Sequence, residues 1–170
     1  MRKLVAGFAI SLDGYIEGPN GEYDWIIMDK DFDFDSHINR FDTFFFGRKS
    51  YLKLKEQSSV SFPGIKNYVF SNSLEVSNDT FVLVKGDIQE IVTQIKKQDG
   101  KDIAVYGGAN LLSSLLNVSL IDELIMSIIP VVLGGGKSMV DSLKQRVNLQ
   151  LTDTKKFSGG TVQLTYKVGR

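Results

Sequence analysis

The stretch that decides the fold is Asp102-Ile103-Ala104-Val105-Tyr106-Gly107-Gly108-Ala109-Asn110-Leu111-Leu112. Its short apolar run is typical of a strand covered on both faces. Two glycines follow, and leucines then recur at helical spacing, which predicts a strand, a turn and a helix N-terminus. Free N–H groups and the positive dipole end attract phosphate there, and glycines let a ligand approach the backbone. Taken alone, the stretch fits a nucleotide phosphate site or an ordinary strand-to-helix turn.

The composition limits the class of protein. The chain has 170 residues, which suits a single domain over residues 1–170 with a full core and no disulfide or metal staples. Its formal net charge is zero, so the composition gives no sign of a nucleic-acid partner. It contains no cysteine, which excludes thiolate metal sites. No apolar run approaches the roughly 20 residues that span a bilayer, and the N-terminus predicts a strand rather than a signal peptide. We expect a cytoplasmic protein with no metal, nucleic-acid or membrane partner.

The order of apolar runs predicts an α/β fold. Residues 3–10 predict a central strand, and residues 42–46, 66–70 and 80–84 predict three more. Helical patterns separate several of these strands, which indicates a mixed, mostly parallel sheet with helices on both faces. The last 25 residues predict an antiparallel hairpin around Ser158-Gly159-Gly160. The Gly-rich dinucleotide fingerprint is missing, which disfavours an ordinary Rossmann fold.

Two glycine-rich or apolar segments near the C-terminus invite competing interpretations. Residues 120–133 form a long apolar run that predicts a strand interrupted at Pro130. Gly134-Gly135-Gly136-Lys137-Ser138 looks like part of a P-loop, but that motif needs a glycine where Val131 stands. We interpret residues 134–138 as a flexible loop.

The aspartate-rich segment of residues 29–40 predicts a helix. Its acidic side chains suit a helix that begins near residues 31–35, because carboxylates stabilise the first turn. His37 is the only histidine, and we expect it on the solvated face of that helix. With no cysteine and no second histidine, the segment does not predict a zinc site.

Polar residues follow two further strands, at the edge where open α/β sheets bind ligands. Gly47-Arg48-Lys49-Ser50 repeats the strand, glycine and helix pattern with two cations and a hydroxyl. Ser71-Asn72 ends the next strand with small hydrogen-bonding side chains. Arg48 can bind a phosphate with its planar guanidinium, although a basic surface turn explains the same segment.

Four segments in this order resemble the dihydrofolate reductase-like fold, and most closely the reductase domain of riboflavin biosynthesis, the RibD C-terminal family. The segments are Ala9-Ile10-Ser11-Leu12-Asp13-Gly14-Tyr15-Ile16, Phe46-Gly47-Arg48-Lys49-Ser50-Tyr51, Val105-Tyr106-Gly107-Gly108-Ala109-Asn110-Leu111, and Asp122-Glu123-Leu124 leading to Pro130-Val131-Val132-Leu133-Gly134-Gly135-Gly136. The resemblance covers nearly the whole chain and implies a three-layer α/β fold. It also implies an NADPH-dependent reductase that transfers a hydride to a pteridine- or pyrimidine-type heterocycle.

The resemblance implies NADPH contacts at the strand ends. Arg48, Lys49 and Ser50 are expected on the adenosine-side phosphates, with Ser71 and Asn72 near the phosphorylated ribose. Residues 107–111 would hold the pyrophosphate and line the nicotinamide, with a cis peptide between the two glycines, and the loop of residues 11–22 would cover it. The expected cofactor-binding set is Ala9, Gly14, Gly47, Arg48, Lys49, Ser50, Ser71, Asn72, Gly107, Gly108, Ala109, Asn110 and Leu111.

The substrate side follows from the same resemblance. Riboflavin-type relatives place an aspartate that matches Asp13 at the sugar end of their substrate, and we add Trp25 and Tyr106 to the expected substrate-binding set. Counting back one helix length from Gly47 gives Asp31 as the expected proton donor. Relatives commonly carry an acidic residue where this chain has Tyr106, so the choice between a pyrimidine and another heterocycle stays open.

The resemblance also suggests a homodimer, to which the apolar run Leu124–Leu133 would contribute. A different class of function remains as the alternative, because no acid stands out as the proton donor. In that alternative the chain is a non-catalytic NADP(H)-binding or interaction module of the same fold.

Overall fold

Strands and helices alternate through most of the chain. The computed structural model describes residues 1–56, 64–75 and 80–169. In these ranges the strands are β1 (Leu4–Ser11), β2 (Tyr15–Glu17), β3 (Phe41–Gly47), β4 (Lys66–Phe70), β5 (Phe81–Val84), β6 (Asp102–Val105), β7 (Glu123–Ile129), β8 (Lys137–Ser138), β9 (Leu149–Lys156) and β10 (Val162–Val168). The helices are α1 (Phe34–Asn39), α2 (Arg48–Glu56), α3 (Ile88–Lys97) and α4 (Ala109–Asn117).

Eight of these strands form one sheet in the order β5-β4-β3-β6-β1-β7-β10-β9. The six strands from β5 to β7 pair in parallel, and β10 and β9 add antiparallel to that edge. The mixed sheet, the central position of β1 and the terminal hairpin are confirmed. Because β3, β6 and β4 run parallel, their carboxyl ends meet at one edge of the sheet.

Strand β3 explains how one apolar run supports two core layers. Successive side chains of a strand point to opposite faces. Phe45 accordingly packs with the α4 leucines on one face, while Phe44 and Phe46 pack with Tyr51 of α2 on the other. All three phenylalanines are fully buried, as expected for a parallel strand covered on both sides.

Two expectations for the C-terminal half need correction. Residues 134–138 are not simply a loop, since Lys137–Ser138 form β8 and pair antiparallel with β2. The two segments are pressed together at Gly136, where a Cβ would lie 2.1 Å from the Glu17 carbonyl oxygen. The expected strand over residues 120–133 is shorter, since β7 ends before Pro130, and it pairs with β1 on one side and β10 on the other. Its contribution to a homodimer stays a prediction.

A buried ion pair ties the opposite end of the sheet together. The Asp122 carboxylate accepts hydrogen bonds from the Leu4 backbone N–H at 2.8 Å and from Lys96 Nζ at 2.5 Å. Lys96 also donates to the Leu120 carbonyl at 2.9 Å and is only 3% exposed. A buried cation is tolerated only with such partners, so Asp122 anchors α3 to the starts of β1 and β7.

We predict that Asp122→Asn lowers the free energy of unfolding by about 3–5 kcal/mol, because Lys96 would stay buried without its counter-ion. Urea denaturation followed by circular dichroism measures the change. Asp153→Asn, on the exposed strand β9, is the matched control and should change stability by less than about 0.5 kcal/mol. Equal losses in the two variants would contradict the anchoring role.

Candidate active site at the carboxyl ends of the parallel strands

Two cavities open at the edge where the parallel strands end, and they meet at the Gly107–Gly108 turn. One cavity, the polar cleft, lies beside α2 and α4; the other, the aromatic cavity, lies over β1 and β6. Ser50 and Gly108 line both of them. Ligands bound in the two cavities would therefore approach each other at this turn.

The polar cleft has a volume of about 530 Å³. Ten of the thirteen residues in the expected cofactor set line it: Gly47, Arg48, Lys49, Ser50, Ser71, Asn72, Gly108, Ala109, Asn110 and Leu111. Ala9 and Gly107 line the aromatic cavity instead. Gly14 lines neither cavity within the described residues, and it forms the turn after β1 with a φ of 91°.

Hydrogen bonds orient the polar side chains at one end of the polar cleft. Arg48 Nη1 donates to Ser73 Oγ at 3.0 Å. Ser71 Oγ accepts from the backbone N–H groups of Ser73 and Leu74 at 3.3 and 3.1 Å. Asn72 Oδ1 accepts from the Gly86 N–H at 3.4 Å. The loop after β4 is thus shaped by its own hydroxyl and amide groups, with the Arg48 guanidinium against it.

The N-terminus of α4 forms the floor of the polar cleft. Gly108 is its N-cap and supplies no side-chain hydrogen bond, so the first-turn N–H groups have no side-chain cap. The peptide between Gly107 and Gly108 is cis, as expected. Gly107 has a φ of 124°, and a Cβ there would lie 3.1 Å from Ser50 Oγ, so only glycine suits this position.

Aromatic rings form the walls of the aromatic cavity, which has a volume of about 400 Å³. Tyr106 stacks on Phe44 with ring centroids 5.7 Å apart and lies 5.3 Å from Phe46. Its ring is 45% exposed toward the opening. Partial burial raises the pKa of the Tyr106 hydroxyl, which therefore stays protonated near neutral pH.

His37 belongs to this cavity, which corrects its expected place on a solvated face. Its ring lies between Phe32 and Phe41, 5.6 Å from each centroid. Burial, together with the positive charges of Arg40 and Lys155, lowers the pKa of His37, so the imidazole is neutral at pH 7. Helical spacing could have revealed this position, because Phe34 and Phe41 stand three residues before and four after His37.

The structure does not bring Asp31 to either cavity. Its carboxylate is exposed and accepts hydrogen bonds from Ser158, at 2.7 Å from Oγ and 3.0 Å from the backbone N–H. These bonds lower the pKa of Asp31, which favours the ionised carboxylate rather than a proton donor. Helix α1 begins after its N-cap Asp33, so Asp31 precedes the helix.

Asp13 and Trp25 also stand outside the cavities. The Asp13 carboxylate accepts from the N–H groups of Leu133 and Gly134 at 3.1 and 2.8 Å, so it holds the loop after β7 against the loop after β1. A hydrogen bond from the Ser11 side chain, followed by those from the backbone, lowers the pKa of Asp13. Trp25 Nε1 donates to the Glu22 carbonyl at 3.3 Å. Trp25 thus orders the loop whose next residue, Ile26, lines the aromatic cavity.

Several lining residues lie outside the expected sets, among them one cation, one carboxylate and a polar pair. Lys137 faces the polar cleft from β8, and its Gly-Lys-Ser context is the one sequence signal that could have found it. Glu17, Ser127 and Gln163 line the aromatic cavity. Gln163 Nε2 donates to Ser127 Oγ at 3.3 Å across the paired strands β10 and β7. This pair depends on strand register, which no local pattern encodes.

Residues 1–56, 64–75 and 80–169 show neither a metal site nor a membrane-spanning helix. No group of three or more His, Asp or Glu side chains in these ranges is arranged to hold a metal ion. No helix in the same ranges has the length and apolar character needed to cross a membrane.

Comparison with known families places the chain. Residues 2–163 match the RibD C-terminal domain family. The chain belongs to this family. Two relatives from Bacillus subtilis strain 168 are the uncharacterised proteins YyaP and YwjB. YyaP is 40% identical, with 97% of this chain and 94% of YyaP aligned. YwjB is 33% identical, with 97% of each chain aligned.

Solved structures confirm the dihydrofolate reductase-like fold of this RibD C-terminal domain. A candidate riboflavin biosynthesis protein from Shewanella sp. PV-4 superposes with a TM-score of 0.86 at 24% identity and 99% coverage of both chains. The Thermotoga maritima diaminohydroxyphosphoribosylaminopyrimidine deaminase and 5-amino-6-(5-phosphoribosylamino)uracil reductase superposes with a TM-score of 0.71 at 18% identity. The superposition covers 98% of this chain and 56% of that protein. Enterococcus faecalis dihydrofolate reductase, solved with NADP(H), superposes with a TM-score of 0.69 at 15% identity. The superposition covers 99% of this chain and 97% of the reductase.

We predict that the single imidazole of His37 titrates in NMR spectra with a midpoint below 6.5, its ordinary value. Because the unfolded chain then binds the proton at higher pH than the folded one, the free energy of unfolding should fall as pH drops below 6.5. His37→Gln cannot titrate and should lose less stability over the same pH range. A midpoint at or above 6.5 would refute the buried position of this ring.

Proposed function

We propose that this RibD C-terminal domain protein is an NADPH-dependent reductase that transfers a hydride to a pteridine- or pyrimidine-type heterocycle. The observation that carries the proposal is the meeting of the polar cleft and the aromatic cavity at Gly107–Gly108. Hydride transfer needs a cofactor and a flat acceptor in direct contact. A polar site and an aromatic site that share one glycine turn supply that arrangement.

The residues of the polar cleft fit NADPH. Three cations line it, Arg48, Lys49 and Lys137, and a dinucleotide with a ribose phosphate carries anionic groups that they can bind. The N-terminus of α4 adds N–H donors and the positive end of the helix dipole. Gly47 keeps the floor bare, since a Cβ there would lie 3.4 Å from the Gly107 carbonyl oxygen.

In this proposal each segment of the polar cleft has a separate role. Arg48, Lys49 and Ser50 bind the adenosine-side phosphates, and Ser71 and Asn72 hold the phosphorylated ribose. Residues 107–111 hold the pyrophosphate and flank the nicotinamide. When bound, NADPH supplies the hydride that reduces an electron-poor carbon of the substrate.

The chain's own contribution on the substrate side is orientation and exclusion of water. The half-exposed ring of Tyr106, backed by the buried ring of Phe44, offers an aromatic surface for a heterocycle. Asp13 and Trp25 act through the loops that they hold rather than through the cavity wall. A homodimer and a cytoplasmic location stay predictions. Strand β9, exposed along its length, is one of the two edge strands of the sheet.

One observation favours a second candidate, a non-catalytic NADP(H)-binding module. Asp31, the acid expected from the sequence, is exposed and bonded to Ser158. Among the described residues that line the aromatic cavity, the carboxylate is that of Glu17, which pairs with Lys53 at 3.0 Å. Neither carboxylate is an evident proton donor, so turnover has to be measured.

We predict that Arg48→Ala weakens NADPH binding about 10- to 150-fold in calorimetric titrations. Loss of a charge-assisted contact to phosphate costs about 1.5–3 kcal/mol, which corresponds to that range. Arg146→Ala, at an exposed position outside both cavities, is the matched control and should bind NADPH as the wild type does. Unchanged affinity in Arg48→Ala would remove Arg48 from the cofactor site.

We predict that the purified protein oxidises NADPH steadily, measured as loss of absorbance at 340 nm, when 7,8-dihydropterin or a 6-ribosylaminopyrimidine is added. The C=N bond of the dihydropterin, or the sugar carbon attached to the 6-amino group, accepts the hydride. The Tyr106→Ala variant, which lacks the ring against Phe44, should raise the KM for the heterocycle more than the Kd for NADPH. NADPH binding without oxidation across a panel of pteridines and pyrimidines would support the non-catalytic module. Absence of NADPH binding itself would reject both functions.

A further inference from the structure

We infer that the substrate of the aromatic cavity is an uncharged planar heterocycle that carries no phosphate or carboxylate group. The inference rests on the proposed function for the identity of the site, but it concerns the chemistry of the aromatic cavity alone. It goes against the phosphoribosylated uracil for which the Thermotoga maritima reductase is named.

Cations are distributed unevenly between the two cavities. Arg48, Lys49 and Lys137 line the polar cleft. Within the described part of the chain, the lining of the aromatic cavity includes neither lysine nor arginine. A phosphate or carboxylate bound in a protein is normally paired with a cation or a cluster of N–H donors. The chain therefore supplies charge complementarity for an anion on one side of Gly107–Gly108 and withholds it on the other.

Lys53 and Arg40, two cations near the aromatic cavity, are already engaged in ion pairs. Lys53 pairs with Glu17 at 3.0 Å and lies 4.8 Å from the ring centroid of Tyr23. Arg40 binds Asp102 at 3.0 Å and Glu123 at 2.5 Å. Lys155 is the further cation that acts on His37, from the exposed strand β9. Glu17, the acidic residue in the wall, occupies Lys53 and so leaves that cation less available to an anionic group in the cavity.

The lining of the aromatic cavity suits an uncharged aromatic ring. Tyr106 presents its half-exposed ring, backed by the buried ring of Phe44. His37 presents its ring on another side and meets the buried Phe41 ring edge to face, 5.6 Å away. The pKa of His37 is lowered mainly by burial, so its ring adds no positive charge at neutral pH. Flat aromatic walls of this kind favour stacking with a planar ligand.

A hydrogen-bonded polar pair, Gln163 and Ser127, lies in the lining of the aromatic cavity. Gln163 is 9% exposed and donates to Ser127 Oγ at 3.3 Å. An amide and a hydroxyl together present both donors and acceptors, as the amide-like edge of a pterin or uracil does. A site of mostly apolar walls with a few polar groups binds a neutral heterocycle by its edge.

The test compares one ring with and without an anionic group. The probes are 6-hydroxymethylpterin and its phosphate monoester, titrated calorimetrically into the full-length protein at low ionic strength, first alone and then with saturating NADP⁺. We expect the uncharged pterin to bind at least tenfold more tightly than its phosphate ester in both titrations. Equal affinity, tighter binding of the ester, or no binding of either pterin would overturn the inference.

Two variants test the reason for the preference. Met28 lines the cavity and is 58% exposed, so Met28→Lys adds a cation to the wall and Met28→Gln is its uncharged control. The lysine variant should bind the phosphate ester at least fivefold more tightly than the glutamine variant, with little change for the uncharged pterin. Lys155→Gln should leave the affinity for the phosphate ester unchanged. A loss of ester binding in Lys155→Gln would identify Lys155 as an anion site and overturn the inference.

The pterin titrations, together with the NADPH titrations of the wild-type protein, separate this inference from the proposed function. If NADPH does not bind but the uncharged pterin is preferred, the reductase proposal fails while the substrate class stands. If NADPH binds and the phosphate ester is preferred, the reductase proposal stands while the substrate class fails.

Discussion

The hydrogen bond from the Gly47 N–H to the Gly107 carbonyl, 2.9 Å long, is the contact on which the candidate site depends. It extends the parallel pairing of β3 and β6 beyond the end of β6, after the Tyr106 N–H has bonded the Phe45 carbonyl at 2.9 Å. Because Gly47 has no side chain, the first turn of α4 lies directly beside it, with Leu111 Cβ 3.5 Å from where a Cβ would stand. The polar cleft and the aromatic cavity are consequently separated by little more than one peptide unit.

The parts of this arrangement that local sequence controls could be predicted. Strand β6, the two glycines and α4 follow from an apolar run, a pair of residues without side chains and a helical leucine pattern. The gathering of Arg48, Ser71 and Asn72 follows from a general property of parallel sheets, whose strands end at one edge. Ten residues of the expected cofactor set line the polar cleft for this reason.

The parts that depend on distant contacts could not be predicted. Ser127 meets Gln163 only because β7 and β10 pair in one register, and a shift of one residue would turn both side chains away. The position of Asp31 outside both cavities has a related cause, since its carboxylate is bonded to Ser158 of a hairpin 127 residues further along the chain. His37 lay within reach of local reasoning, but its environment of rings becomes evident only when α1 is recognised as covering the aromatic cavity.

Electrostatics then divide the site at the glycine turn. Interaction between charges grows as water is excluded, so the sign of each lining group matters more inside a cavity than on an open surface. Arg48, Lys49 and Lys137 keep the polar cleft positive, whereas Glu17 and a neutral His37 keep the adjoining cavity free of positive charge. A phosphate would gain pairing with these cations in the polar cleft and lose its hydration without replacement in the aromatic cavity. The two cavities therefore differ in the charge that they offer a ligand, although they lie on either side of the same pair of strands, β3 and β6.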